Sequence, residues 1–197
     1  MAMIGVSKPY VAVYSNTGST VSYTGLTTLG KYTNLDLSLD DAGANDFYAD
    51  NAIAESDNRA FAGGSLTITT SDLDPAALKT VLGLVEEAIA ATVATTTPVP
   101  KWLVNGDGQQ IPYVGIGGIV KMQINGEIKY QAIVLNKVLL RNPGLSIATQ
   151  GETIEWQTPT IEGRVYRSDA TDHRWRMVST YLDSEADAIA AISAVLS

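Results

Sequence analysis

The chain has 197 residues, of which 45% are hydrophobic and none is cysteine, which excludes disulfides and thiolate metal sites. Its 21 acidic and 13 basic side chains give a formal net charge of −8, and the basic residues form no continuous block. General affinity for DNA phosphates is therefore not expected. Ordinary solubility is the simplest explanation of the acidity. No stretch approaches the roughly 20 apolar residues of a membrane helix and no secretion leader is visible, so we expect one soluble domain over residues 1–197, made in the cytoplasm.

The amino-terminal third has the alternation typical of strands joined by turns. This pattern predicts strands at residues 10–14, 20–24, 32–39 and 65–70. Residues 40–58 interrupt it with two acidic runs, and a loop of this length is usually functional or disordered. We therefore predict an extended loop between the third and fourth strands.

The next segment changes to helical spacing. Asp74 is placed to cap the first turn, Pro75 fits the first helical position, and Gly83 can end the helix in a left-handed conformation. These residues predict a short helix that packs on the sheet. Residues 84–92 fit a second helical piece, whereas the threonine and proline run at 92–100 predicts a surface crossing.

A long β-hairpin is predicted in the middle of the chain. Every second residue is apolar along 114–124 and again along 128–140, and Asn125 and Gly126 lie between the two runs. A two-residue turn would place Met122 opposite a lysine and mix the faces, so we predict a three-residue turn with Gly126 in the left-handed position. That turn would bring onto one face Gly118, Val120, Met122, Ile128, Tyr130, Ala132 and Val134.

Glycines inside this hairpin have a structural explanation. Gly115, Gly117 and Gly118 resemble a phosphate-binding loop, but they lie within a strand and not between a strand and a helix. We predict that they bend the sheet or let other groups approach its backbone closely.

The second face of the hairpin is also expected to be buried, because it carries Gly117, Ile119, Ile133 and Leu135. Either helices of the same chain or a neighbouring subunit would cover it.

The carboxyl-terminal half predicts further strands at 101–104, 152–158, 160–167 and 174–181. A helix over 184–196 follows, in which Ser184 and Asp187 form a capping pair and an apolar stripe faces the body. Strands dominate, without the strand–helix alternation of a parallel sheet. We predict a mainly β (α+β) fold, an antiparallel β-sandwich or barrel-like domain with one flanking helix and a C-terminal helix.

Few residues suit catalysis or metal binding. The single histidine, His173, lies in a polar stretch between two strands and is expected to be a solvated loop residue. The acidic sets at 40–41 and 50–57 do not match the twelve-position calcium loop. We therefore expect no enzyme activity, no metal site and no cofactor.

The three tryptophans indicate whether the chain has an aromatic binding platform. Trp156 alternates in phase with Ile154, and Trp175 with Met177, which favours burial of both rings. Trp102 fits either burial or exposure.

Several motifs resemble one known family when they are taken in order. They are Tyr48-Ala49-Asp50-Asn51, Gly64-Ser65-Leu66-Thr67-Ile68, Pro112-Tyr113-Val114-Gly115-Ile116-Gly117, the run from Gly151 to Gly163, Arg174-Trp175-Arg176 and the alanine-rich terminal helix. Together they cover most of the chain and resemble the major tail protein (tail tube protein) family of long-tailed phages. Residues 84–100 depart from the family pattern, since they are longer and richer in alanine and threonine.

This resemblance implies a structural virion protein that self-assembles into stacked hexameric rings, forming a tail tube through which DNA passes without specific binding. It implies that the partners are tape measure, tail terminator and distal tail proteins and that the protein does not bind a membrane. It also implies assembly in the host cytoplasm and a final location in the virion tail. The expected ring-stacking loop contains Asp41, Asn45, Asp46, Phe47, Tyr48, Asp50, Asn51 and Glu55. The expected lumen candidates, from strand position, are Asp36, Glu127, Glu155 and Glu162.

Two other classes of function stay open from the sequence. A tube subunit of a phage-derived bacteriocin or secretion device would share the same architecture. A monomeric ligand-binding or carbohydrate-binding β-sandwich would instead show a row of exposed aromatic rings and no self-association.

Overall fold

Strands form most of the described chain. The structure is a computed structural model, and it describes residues 2–40, 44–49, 52–58, 61–89, 100–149 and 156–197. Its elements are β1 (Ala2–Thr17), β2 (Thr20–Thr28), β3 (Tyr32–Leu39), β4 (Ala44–Ala49), β5 (Ala52–Asn58), β6 (Gly64–Thr70), α1 (Pro75–Leu82), β7 (Val85–Ala88), β8 (Lys101–Val104), β9 (Tyr113–Ile124), β10 (Glu127–Leu140), β11 (Thr160–Tyr166), β12 (Arg176–Val178) and α2 (Glu185–Leu196).

One antiparallel sheet organises the fold. Its strand order is β2-β1-β9-β10-β11-β6-β3, and β12 pairs with β10 off this path. The two ends of the sheet enclose a common apolar core, because Leu66 and Ile68 of β6 pack in the same cluster as Val11 of β1 and Ile116 of β9. The predicted mainly β, sandwich-like fold with one flanking and one C-terminal helix is therefore confirmed.

The predicted three-residue turn of the hairpin is wrong. Ile124 pairs with Glu127, so the turn has two residues, and both Asn125 (φ 51°) and Gly126 (φ 88°) are left-handed. Met122 therefore lies opposite Lys129, the pairing that the sequence argued against. The argument failed because both faces of the hairpin are buried along most of its length, so mixing them costs little. The left-handed position of Gly126 is confirmed.

A β-bulge then changes the register of the hairpin. Leu135 pairs with Ile116, but Val138 pairs with Val114, so β10 has one extra residue between these pairs. The bulge keeps Leu135 and Val138 in the same core although they are three residues apart.

Helix α2 covers the hairpin face that carries Gly117 and Ile119. Ala188, Ile192 and Leu196 are completely buried on this helix and pack in one cluster with Ile119 of β9 and Val134 of β10. The chain's own helix therefore supplies the predicted cover for Ile119.

The predicted grouping of Ile133 and Leu135 with this face is wrong. The two-residue turn pairs Ile119 with Ala132, so Ile133 and Leu135 lie on the opposite face, which borders the main core and a separate hollow.

Two glycines of β9 make this contact possible. A Cβ atom on Gly117 would lie 2.6 Å from Cγ2 of Ile192, and one on Gly115 would lie 2.6 Å from Cδ2 of Leu196. Both distances are far below van der Waals contact, so the helix rests directly on the strand backbone. The predicted close approach is confirmed.

The predicted helix after Asp74 and the predicted C-terminal helix are confirmed together with their caps. The Asp74 carboxylate accepts a hydrogen bond from the Ala76 amide (3.0 Å), and Gly83 ends α1 at φ 63°. The Ser184 hydroxyl accepts a hydrogen bond from the Asp187 amide (3.1 Å) at the start of α2.

The prediction of a second helical piece at 84–92 is wrong over residues 85–88. That segment is strand β7, which pairs with β8 as a separate two-stranded sheet. Lys79 and Lys101 each lie 2.8 Å from the Glu86 carboxylate, and hydrogen bonds from Lys101 and then Lys79 lower the pKa of Glu86 to about 2. The pairing with β8 overrides the local helical preference.

Several strand boundaries differ from the prediction. Strand β1 begins at Ala2, eight residues earlier than predicted, and β12 covers only three residues of the predicted 174–181. Residues 156–158 form no strand, and the remainder of the predicted strand, 152–155, lies outside the described residues. The surface crossing at 92–100 lies outside them as well, except for Pro100.

Gly117→Ala is expected to lower the free energy of unfolding by about 1–3 kcal/mol, because the added methyl group forces α2 away from β9. Urea denaturation measures the change. Gly106→Ala is the matched control, since no atom lies within 4 Å of its Cβ position. Equal stability of the two variants would show that α2 does not rest on the β9 backbone.

Candidate assembly surfaces

The exposed face of β3, β6 and β11 is polar and carries two acids in one row. Asp36 and Glu162 both pair with Thr67, from opposite sides, so the three residues lie side by side across the strands. Strand spacing puts the two acidic residues about 10 Å apart. Neither carboxylate makes an ion pair with any described residue, and both side chains are exposed.

Small hydroxyl and amide side chains surround this acidic row. Thr69 pairs with Asn34 and Thr160 on one side of it, and Ser65 pairs with Ser38 and Arg164 on the other. The basic side chain is neutralised, because the Arg164 guanidinium donates to the Asp40 carboxylate at 2.5 Å. The face is therefore polar and weakly acidic.

The other two lumen candidates do not join this row. Glu127 lies beside the hairpin turn and forms an ion pair with Lys129 at 3.0 Å. Its position is on the order of 40 Å along β10 from the end that pairs with β11. Glu155 lies outside the described residues.

The predicted loop at 40–58 contains a two-stranded ribbon. Strands β4 and β5 pair with each other and with no strand of the main sheet, from Ala44 opposite Asn58 to Ala49 opposite Ala52. The backbones of Asn45, Asp46, Phe47, Tyr48 and Glu55 lie on these strands. Asp41, Asp50 and Asn51 lie outside the described residues, so the stacking role of this set stays a prediction.

An apolar groove opens at one end of the main core. Leu35 and Leu37 of β3 form one wall and the hairpin forms the other, around a hollow of about 400 Å³. Met3 and Ile4 lie at its rim, and the Met3 side chain is 77% exposed. The sequence pattern did not predict this surface, because residues 2–9 alternate too weakly to indicate the beginning of β1.

The connection between β10 and β11 is a second exposed apolar surface. Leu145 and Trp156 are each 87% exposed and Ile147 is 75% exposed, although all three are large hydrophobic residues. The predicted burial of Trp156 is wrong, because residues 156–158 form no strand and therefore have no buried sheet face. This connection and the start of β11 surround a hollow of about 660 Å³.

The other two tryptophans differ from each other. Trp175 is partly buried, as predicted, and its ring stacks on Phe61 at a centroid distance of 4.4 Å. Trp102 lies on β8 and is 55% exposed. The two exposed rings, Trp102 and Trp156, therefore lie on different elements and form no row along one strand.

A partly buried ion pair lies at the β10 bulge. Lys137 lies 2.7 Å from the Asp169 carboxylate, and the Tyr14 hydroxyl donates to the same oxygen at 2.9 Å. Hydrogen bonds from Lys137 and Tyr14 lower the pKa of Asp169. His173 is exposed in the adjacent loop, and its Nδ1 lies 3.1 Å from the Ser168 carbonyl oxygen. The predicted loop position of His173 is confirmed.

Within the described ranges, no group of three or more histidine, cysteine, aspartate or glutamate side chains is arranged to hold a metal ion. The described helices include none with the length and apolar character that a membrane span requires. A comparison with protein-family models found no match to this chain, and a search of curated proteins found none either.

Proposed function

We propose that this chain is the major tail subunit of a long-tailed phage, which self-assembles into stacked hexameric rings that form a tube for DNA passage. The observation that carries this proposal is apolar surface that the described chain does not cover. Its most exposed members include Met3 at the groove rim and Leu145, Ile147 and Trp156 on the connection, and Ile4 is half-exposed beside Met3. Large exposed apolar side chains in clusters mark interaction surfaces.

Open sheet edges support the same proposal. Strand β2 is paired only with β1, and β3 only with β6, so each has one unpaired side within the described chain. Unpaired edges favour pairing with another chain unless something covers them. An interface that joins different surfaces of identical copies closes into a ring when the rotation between copies is suitable.

The acidic row suits the lining of a channel for DNA. Asp36 and Glu162 lie among threonines and serines, and Arg164 is neutralised by Asp40. A surface without free cations gives phosphates no counterion to replace, so DNA can slide along it without adhering. The proposal places this row in the bore and leaves Glu127 and Glu155 as further lumen candidates.

Other parts of the proposal come from the family resemblance. The β4–β5 ribbon is assigned to ring stacking, and tape measure, tail terminator and distal tail proteins are the expected partners along the tube and at its ends. The protein would be found in the virion tail, and it would have no catalytic role. A phage-derived bacteriocin or secretion tube is the alternative within this class, and the genes next to the coding sequence distinguish the two.

A monomeric carbohydrate-binding sandwich is favoured by one observation, the exposure of Trp102 and Trp156. Aromatic rings in such sites form a platform, whereas these two lie on different elements. The assembly state of the purified protein separates this alternative from the tube subunit.

Purified protein is expected to form rings or tubes as its concentration rises, seen as growth in light scattering and as annular particles in negative-stain electron microscopy. The physical reason is burial of the apolar surfaces between copies. A protein that stays monomeric at every concentration, and also with added tape measure protein, would contradict the tube proposal.

The double variant Asp36→Lys/Glu162→Lys is expected to form tubes that bind short double-stranded DNA at low salt, because lysines in the bore neutralise phosphates. DNA inside the tube would be protected from nuclease. Nuclease-resistant DNA is measured after sedimentation of the tubes. Glu87→Lys/Asp107→Lys is the control, with the same charge change at exposed positions off this face. Equal protection in the two variants would show that the acidic row does not line the bore.

A further inference from the structure

The β10–β11 connection has two apolar side chains in an arrangement that suits a docking strand. Leu145 and Ile147 are two residues apart, so in an extended segment they point to the same side, about 7 Å apart. Ser146 lies between them and would point the other way. Both apolar side chains are among the most exposed in the described chain, so they make little contact within their own subunit.

The groove has a matching arrangement. Leu35 and Leu37 of β3 are also two residues apart and line the hollow of about 400 Å³, opposite Val120 and Ile133 of the hairpin. Strand β3 is also an edge strand, since it pairs with β6 and with no other described strand. An extended segment beside β3 would therefore find unpaired backbone groups as well as apolar pockets at the same spacing.

We infer that the connection of one copy docks into the groove of a neighbouring copy as an added strand, with Leu145 and Ile147 inserted beside Leu35 and Leu37. This inference rests on the self-assembly proposed above and names the contact that produces it. The contact joins two different surfaces of identical chains, so it propagates from copy to copy and can close a ring.

The area available fits such an interface. Burying a leucine or isoleucine removes on the order of 100 Å² of apolar surface from water. An exposed tryptophan adds about 200 Å². Leu145, Ile147 and Trp156 together therefore supply about half of the ~800 Å² per partner that a stable interface buries. The groove rim contributes the reciprocal apolar surface through Met3 and Ile4.

The described part of the connection does not line the groove of its own chain. Residues 141–147 lie instead against residues 157–162, around the separate hollow of about 660 Å³. The connection also leaves the sheet at Leu140, which is about 20 Å along β10 beyond the groove residue Ile133. A second copy is therefore the occupant that brings the two surfaces together.

The absence of cysteine from the chain permits a direct test by cross-linking. Ile147→Cys and Leu37→Cys are prepared separately, mixed before assembly and oxidised. The expected product on a non-reducing gel is a dimer that contains one copy of each variant. Two controls should give little dimer. One is each variant oxidised alone, and the other is Ile147→Cys mixed with Asp107→Cys. Leu35→Cys replaces Leu37→Cys if that variant does not fold.

The outcomes separate this inference from the proposed function. Rings that form without the Ile147–Leu37 cross-link would overturn the docking contact and leave the tube proposal standing. Absence of both rings and cross-link would overturn both. Equal cross-linking to the Asp107→Cys control would also overturn the docking contact, since it would show chance collision.

A second measurement uses the double variant Leu145→Asp/Ile147→Asp. It is expected to abolish assembly and to leave the thermal unfolding midpoint unchanged. Normal assembly of this folded variant would contradict the inference.

Discussion

The fold depends on the direct packing of helix α2 against the backbone of strand β9. Gly115 and Gly117 have no side chains, so Ile192 and Leu196 occupy the space that Cβ atoms would need. This contact buries one face of the central hairpin, while the main core buries the other. The hairpin is therefore enclosed along most of its length. The most exposed large apolar side chains of the described chain lie at the groove rim and on the β10–β11 connection, and the β7–β8 ribbon adds Val85 and Trp102.

Local signals in the sequence predicted the helices well and the strand pairing less well. Asp74, Pro75 and Gly83 delimit α1 because caps depend on neighbouring residues alone. The hairpin turn was predicted incorrectly because the parity argument assumed one buried face. The second face is buried by α2, which begins only at Glu185, far from the turn in sequence. The sequence likewise could not indicate that β7 pairs with β8, since that pairing joins residues separated by a long connection.

The candidate surfaces were predictable in part. Asp36 and Glu162 were selected from strand position, but their common row depends on the order β11-β6-β3, which no local pattern contains. Trp156 was expected to be buried from its alternation with Ile154, yet alternation buries a residue only where a sheet partner and a core face exist. The groove combines residues of β1, β3, the hairpin and β12, so only the folded structure brings its walls together.

The central claim is that copies of this chain cover each other's exposed apolar surfaces. Hydrogen exchange across a concentration series tests it most directly, because amides at an interface become protected when copies associate. The expected result is slower exchange in residues 2–6, 32–39 and 145–149 as concentration rises, with unchanged exchange in α2. Exchange in those three segments that is the same in dilute and concentrated protein would contradict the account.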